Sequence, residues 1–470
     1  MSAQPIKKDA LFSTLPVLEH KGLLAAIQAE RKIKTNTIIV LDDDPTGTQT
    51  VHDVPVLTSW ETEVLVSEFQ KETAVFFILT NSRSLTEEEA KELAYSIGHN
   101  ISKAALETGT PFWVISRSDS TLRGHYPSEV SSLEEGLNWK NSIQFIIPAF
   151  FDGGRYTIDD IHYVQQGDSL IPAAQTPYAM DKVFGYRNSN LKDWVLEKNN
   201  GTKATRKIAS ISIDQLRTKS LSNLIEHLNS MQEGTVCILN AADDDDLHFF
   251  SLAILRSNVQ PIFRTAASFV ASIAGLKKQA LLAGSSISNK SQHGGLIVVG
   301  SYVPTTSQQL DHLLSNRIEI EALEISVDGI LSAANQQVLR EEYSNKINDL
   351  IRDGRTVVLY TSRNLVSVAS EKENQEMGKK ISHFLTQIVG HLDVCPAYIL
   401  TKGGITSSDI ATKSLGIKRA IVKGQIINGV PVWELGEETK FPQSHQIIFP
   451  GNVGNENSLT KIVEKLTVLN

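Results

Sequence analysis

The sequence is poor in cysteine. Cys237 and Cys395 are far apart, and each lies inside an apolar stretch, TVCIL and LDVCPAYIL. No CxxC pair and no Cys/His spacing of a zinc site occurs, which excludes a disulfide framework and a Cys-based metal centre. Both thiols read as small core residues. Positive charge is also short: 45 Lys+Arg stand against 53 Asp+Glu, a net charge of -8. That argues against nonspecific binding to nucleic acid or to anionic membranes, which needs a basic surface. It leaves room for one anionic ligand, since a few local donors suffice for a phosphate. No apolar run approaches the roughly 20 residues that span a bilayer. The opening MSAQPIKKDALFSTLP lacks a basic start followed by an apolar run, so no secretory signal is expected and the expected location is the cytoplasm. GxxxxGK[ST], the HRD and DFG segments and a strand-linked GxGxxG are all missing. P-loop enzymes, protein kinases and Rossmann dehydrogenases are therefore disfavoured.

What is present is strand–helix alternation. Apolar runs at 37–41, 74–79, 112–116, 143–150, 235–239, 296–301, 356–362 and 397–401 are rich in Val, Ile and Phe, as expected of strands covered on both faces. Helical patterns at 86–109 and 378–392 lie between such runs. The expected fold is α/β, with two domains, each a mostly parallel sheet flanked by helices. LLAGSSISNKSQHGG (281–295) reads as a linker, giving a first domain at 1–280 and a second at 296–470. The stretch from Gly153 to about Gly201 is polar and weakly periodic, and a long segment without clear elements is usually functional.

In the first domain, TIIVLDDDPTGTQT runs a strand into Asp42, Asp43 and Asp44 and then into Thr46 and Gly47. Ligands of parallel α/β sheets bind beyond the carboxyl ends of strands. Acids there can bind sugar hydroxyls, hold Mg2+ through water or act as a base. A plain capped turn is the bland alternative. ISRSDSTLRGHYPSE also follows a strand, with Arg117 and Arg123 bracketing Asp119, Ser120 and Thr121. Guanidinium forks suit a carboxylate or phosphate, and the neighbouring hydroxyls suit a polyhydroxylated acid. Helix caps and an ion-paired Asp119 are the alternative. PAFFDGGRYTIDDIHYV adds Arg155, His162 and Tyr163 as donors, although a lone histidine is more often structural than catalytic. The acidic run Asp243–Asp246 reads as an N-terminal helix cap rather than a metal site.

In the second domain three strands run into glycine turns: LIVVGSYVP with Ser301, AYILTKGGITSSD with Gly403 and Gly404, and IIFPGNVGNENSL with Gly451. Backbone N–H groups at such turns can cradle phosphate oxygens, and Thr406 and Ser407 add hydroxyls. Together they suggest a nucleotide site.

The ordered set resembles the four-carbon acid sugar kinases. LDDDPTGTQT resembles that family's DDxTG motif through Asp43, Asp44, Thr46 and Gly47. RSDSTLRGH, GGRYTIDDIHYV, KGGITSSDIATKSLGI, GQIINGVPVWEL and FPGNVGNENSL resemble its further segments, from about residue 37 onward. The resemblance implies a sugar-acid domain followed by an ATP-binding domain, with the active site in the cleft between them. It implies phosphorylation of an acid such as threonate, erythronate or 3-oxo-tetronate in carbohydrate catabolism, with ATP and Mg2+. By carry-over, ATP falls on Ser301, Gly403, Gly404, Ile405, Thr406 and Gly451. Thr46, Gly47, Arg117, Ser120, Arg123, Arg155 and His162 fall on the acid, with Arg117 or Arg123 near its carboxylate. One of Asp43, Asp44 or Asp119 accepts the hydroxyl proton, Asp44 or Asp43 being favoured. Many members carry an acid after the paired glycines where this chain has Ile405. Any metal-holding role there is lost or passes to Asp409. A homodimer is compatible with the sequence. Two other readings remain open: a Mg2+-dependent phosphatase using Asp42-x-Asp44-x-Thr46, and a sensor that binds nucleotide or sugar acid without turnover.

Overall fold

The computed structural model describes residues 4–199, 206–287, 292–316, 319–332, 336–363 and 371–467, the side chains of 371–376 excepted. In chain order its strands are β1 (Ile6–Lys7), β2 (Thr37–Asp42), β3 (Val54–Leu57), β4 (Val75–Leu79), β5 (Phe112–Arg117), β6 (Ile143–Ile147), β7 (Arg155–Ile158), β8 (Ile161–Gln166), β9 (Ser169–Pro172) and β10 (Ile208–Ile211). They continue as β11 (Val236–Leu239), β12 (Pro261–Thr265), β13 (Leu296–Val299), β14 (Ile320–Ile325), β15 (Thr356–Thr361), β16 (Ile399–Lys402), β17 (Arg419–Ile427), β18 (Val430–Leu435) and β19 (His445–Phe449). Each of the eight apolar runs read from the sequence overlaps one of these strands. The two helical patterns lie within or overlap the helices Glu87–Thr108 and Glu371–Gly390.

The chain forms two compact units. The first comprises Met1–Thr50 with Ser59–Lys278, the second Val51–Thr58 with Gln279–Asn470. Two features depart from the division expected at 281–295. The described part of that segment packs on the second unit: Leu282 N–H donates to the Gln425 carbonyl and Ile287 enters the apolar core. Strand β3 belongs there too, because it pairs antiparallel with β17, Val54 opposite Val422 and Leu57 opposite Arg419.

The first unit carries a parallel sheet in the order β10-β11-β6-β12-β5-β2-β4. Its strands other than β10 are buried on both faces; Ile38, Val40, Phe76, Val114 and Phe145 have no exposed surface, which is why they read as continuous apolar runs. Register aligns their carboxyl ends: Asp42 lies opposite both Arg117 and Leu79, and Thr265 opposite both Arg117 and Ile147.

The polar stretch from Gly153 is not devoid of elements. Its first part supplies β7, β8 and β9, which with β1 form an antiparallel sheet in the order β1-β9-β8-β7, and a helix follows at Leu191–Lys198. Asp159 and Asp160 both adopt positive φ, 51° and 63°, the conformation of a two-residue hairpin turn whose twist matches its strands. Polar strand faces hid it. The buried faces, Tyr156, Ile158, Tyr163 and Leu170, pack with Ile213 and Ala242 in a satellite core.

In the second unit β19-β16-β13-β15-β14 run parallel, and β18, β17 and β3 extend the sheet antiparallel. Asp243 caps the helix Asp244–Arg256 through a reciprocal box with Asp246. The cap reading of that acidic run therefore stands, though Asp246 is fully buried on Arg217 rather than solvated. Among the described residues no helix is long and apolar enough to cross a membrane.

Candidate functional site

At the carboxyl ends of β2, β4 and β5 lies a network of carboxylates and guanidiniums. Its centre is Arg83, just past β4, which the sequence reading missed. Arg83 donates from Nη2 and Nε to the two oxygens of Asp43, at 2.5 and 3.2 Å, and from Nη1 to Asp44 Oδ2 at 3.3 Å. Ser118 Oγ donates to Asp43 at 2.6 Å. Burial by itself would raise the Asp43 pKa, but the charges of Arg83, Arg264 and Arg117 outweigh it and leave the group below the ordinary carboxylate value. Asp43 is thus a fixed, ionised anchor and is poorly suited to be a base. Asp44 is the more accessible: its side chain is 23% exposed against 2% for Asp43. Its Oδ1 accepts the Thr46 N–H at 2.8 Å and the Thr46 hydroxyl at 2.5 Å.

Asp42 is fully buried. Arg117 Nη1 reaches its Oδ1 at 3.3 Å, while Oδ2 has no partner among the described residues. Burial pushes the Asp42 carboxyl up to about 7 against the pull of Arg117, and Asp43 and Asp44 add to the rise. Its carboxylate abuts Gly47, where a Cβ would lie 1.9 Å from Oδ2. This contact, rather than ligand access, accounts for the glycine, and it closes Asp42 to the nucleophilic role of the phosphatase reading. Arg117 is likewise withdrawn, being buried on Asp42. That corrects its assignment to a substrate carboxylate.

Asp119 accepts from Arg123 Nε at 2.9 Å, from the Thr121 N–H at 3.2 Å and from the Thr121 hydroxyl. Burial opposes its ionisation, but Arg83 and Arg123 prevail and hold its pKa well below the usual range. Arg123 remains partly exposed. Its guanidinium lies 5.2 Å from the centre of the Tyr178 ring, and that of Arg155 lies 5.8 Å from the same ring. Arg155 also donates from Nη1 to the Gly153 carbonyl. Tyr178 was not singled out from the sequence.

His162 does not belong with the ligand donors. It is fully buried, its Nε2 donates to the Ser120 carbonyl at 2.8 Å, and its Nδ1 accepts from Thr157 Oγ1 at 3.1 Å. Burial pushes its pKa down to about 4. It fixes the Ser120 backbone as a neutral imidazole, so its assignment to substrate is corrected. Arg264, also missed, donates to Ser116 Oγ and Glu129 at 2.8 and 3.0 Å. Together with Ser118, Asp119, Arg123, Thr265 and Trp194 it lines a cavity of about 20 Å³, room for one water-sized group.

In the second unit the three glycine turns meet. A Cβ on Gly403 would lie 3.0 Å from Ser301 Cβ, one on Gly451 3.1 Å from Ser301 Oγ, and one on Gly300 2.2 Å from Thr406 Oγ1. Gly403 has φ +116°, a conformation that favours glycine. Thr306 Oγ1 donates to Ser301 Oγ at 3.2 Å and to the Gly451 carbonyl at 3.1 Å. Ser407 Oγ donates to the Thr401 and Gly403 carbonyls, tying the Gly403-Gly404 turn from behind. Ile405 is 54% exposed. Lys402, at the end of β16, is a further residue that sequence reasoning passed over. It is fully buried, with Nζ donating to the Pro450 carbonyl at 2.6 Å and the Gly451 carbonyl at 3.3 Å, and lying 3.6 Å from the Phe449 ring centre.

The residues here do not fit a resident Mg2+. Asp409 accepts from Ser382 Oγ at 2.5 Å and pairs with Lys413 at 2.6 Å. Among the described residues no group of three or more His, Cys, Asp or Glu could hold a metal. Asp409 is therefore corrected as a metal-ligand candidate.

Residues 38–273 match the family model described as the sugar-binding N-terminal domain, and residues 296–459 match that of the nucleotide-binding C-terminal domain. The chain belongs to the four-carbon acid sugar kinase family. In this sugar kinase family chain the Arg83 network falls in the sugar-binding domain and the glycine turns fall in the nucleotide-binding domain. Two solved structures share the fold. A Salmonella typhimurium LT2 protein, provisionally named a tRNA synthase, aligns with TM-score 0.68 at 16% identity over 91% of this chain and 98% of its own. A Haemophilus influenzae protein of family DUF1537 aligns with TM-score 0.64 at 17% identity over 91% and 100%. At such identity the likeness concerns the fold alone. A comparison with curated proteins finds no significant match.

Proposed function

We propose that the protein is a cytoplasmic ATP-dependent kinase acting on a hydroxyl of a four-carbon sugar acid of the threonate, erythronate or 3-oxo-tetronate type. The observation that carries this reading is one chain holding, in order, a sugar-binding and a nucleotide-binding domain. In the second of these, three strand-end glycine turns converge on Ser301.

Asp44 is the base. It takes the hydroxyl proton as the substrate oxygen bonds to the γ-phosphorus and the bond from that phosphorus to the ADP oxygen breaks. Thr46 and Arg83 hold it in place, and Asp43 in turn holds Arg83. Arg123, with Arg155 across Tyr178, meets the acid's carboxylate. Gly403, Gly404, Ile405, Thr406, Gly451 and Ser301 carry the nucleotide. Positioning and charge stabilisation supply most of the rate in such transfers.

Coupled ADP release with Mg-ATP tests the reading against a panel of D- and L-threonate, D- and L-erythronate and 3-oxo-tetronates made in situ. Turnover on one acid supports it and names the substrate. Nucleotide binding with no ADP formed on any acid replaces the kinase with a sensor.

A further inference from the structure

A fully buried lysine is an expensive way to fill a core position, because its ammonium leaves water without a counter-charge. Lys402 has no carboxylate partner among the described residues; its amine faces the Pro450 and Gly451 carbonyls and the Phe449 ring. Burial pushes its pKa down to about 7. An apolar side chain would avoid that cost, so the donors must serve something a methionine could not.

The peptide plane says what. A trans peptide directs its C=O and the following N–H to opposite sides. With the Pro450 carbonyl held on Lys402, the N–H of Gly451 points away from the amine. With the Gly451 carbonyl held by Lys402 and Thr306, the N–H of Asn452 does the same. Lys402 also directly precedes the Gly403-Gly404 turn. One side chain therefore joins two of the three glycine turns and sets the orientation of consecutive amides in one of them.

Resting on the nucleotide reading above, we propose that Lys402 is a positioning residue. It turns the Gly451 loop so that its backbone N–H groups face the phosphates of the nucleotide, and Thr306 holds the same Gly451 carbonyl.

The test is ADP and threonate binding to the full chain by calorimetry, with thermal midpoints for wild type, K402M, K402Q and T306V. For K402M the expectation is a loss of ADP affinity of about tenfold or more, the scale of losing a charge-assisted hydrogen bond, with threonate affinity unchanged. K402Q, whose amide still donates, recovers part of the loss. T306V weakens ADP by a few-fold. A folded K402M that binds ADP as wild type does, with only its midpoint lowered, overturns the proposal and leaves the nucleotide reading intact. Should K402M not fold, T306V decides, and unchanged ADP affinity there overturns the proposal. Absence of ADP binding in the wild type removes the nucleotide reading and this inference with it.

Discussion

The sugar-binding unit gathers carboxylates and guanidiniums at its strand ends, whereas the nucleotide-binding unit gathers glycines and one buried amine. In the first, side chains fix one another: Asp43 is held by Arg83 and Ser118, Asp44 by Thr46 and Arg83, Asp119 by Arg123 and Thr121. In the second, side chains fix backbone: Lys402, Thr306 and Ser407 all donate to carbonyls of the glycine turns. A polyhydroxylated acid differs from its isomers only in where its hydroxyls point, so its site needs directional groups held rigidly. A phosphate chain presents the same oxygens in every nucleotide, so main-chain amides serve it, provided that no Cβ intrudes.

This contrast can be broken at several points. The largest expected effect belongs to Asp44→Asn, which should lower kcat by about 10²–10⁴-fold, the range of general-base removal, with ADP affinity unchanged. Steady-state kinetics check it, and an equal fall from Asp43→Asn without loss of stability would shift the base to Asp43. Next comes Arg83→Met. It takes from Asp43, whose side chain is 2% exposed, its guanidinium hydrogen bonds and leaves it Ser118 and the charges of Arg264 and Arg117. It should cost up to about 3–5 kcal/mol in denaturant unfolding, the scale for removing one partner from a buried ion pair. A change below about 1 kcal/mol would mean that the network is not held as described. Gly403→Ala combines strain at φ +116° with a 3.0 Å approach to Ser301. At about 1–2 kcal/mol it should weaken ATP roughly tenfold and leave sugar-acid binding alone. If acid binding fell equally, the division of labour between the units would fail.

A separate effect is one of slope. Asp42 has a folded pKa of about 7 against an ordinary 3.8, so between those values the folded chain holds a proton that the unfolded chain has released. Its contribution is therefore fully present below about 4 and is lost as pH rises toward 7. Lys402 works the other way. Its folded pKa of about 7 against 10.5 makes the unfolded chain the more protonated form between them, so stability gains as pH rises through that window. Denaturation of Asp42→Asn and Lys402→Met across pH 4–10 should flatten the acid and the alkaline slope respectively; unchanged slopes would place both groups in contact with water.

Much of this was legible in the residues. Val/Ile/Phe runs gave the parallel strands because strands buried on both faces have no polar side to break the pattern. The DDxTG and glycine segments were legible because turns constrain residue type. Arg83 was not, since TNSRSL has no pattern of its own. Only the sheet order, which sets β4 beside β2 with Leu79 opposite Asp42, brings it to Asp43. A clue was available in an arginine placed just past a strand end. Lys402 was hidden differently, as a charged letter at the end of an apolar run that reads as leaving the core, although its neighbours Leu400 and Thr401 are fully buried. His162 was assigned to substrate through the resemblance of GGRYTIDDIHYV, and only the positions of the Ser120 carbonyl and the Thr157 hydroxyl reveal its service to the backbone.

The pairing of Val54–Leu57 with Arg419–Val422 sets a timetable for biogenesis. At ~5–20 residues per second on the ribosome, the early strand waits tens of seconds for its partner, and the helices and strands around it emerge first. A fragment begun at Gln279 would arrive with the β17 edge bare, presenting unpaired main-chain groups to any passing chain. Grafting the Val51–Thr58 segment ahead of such a fragment through a flexible tether should restore solubility, which makes this short strand a transplantable guard for the second unit.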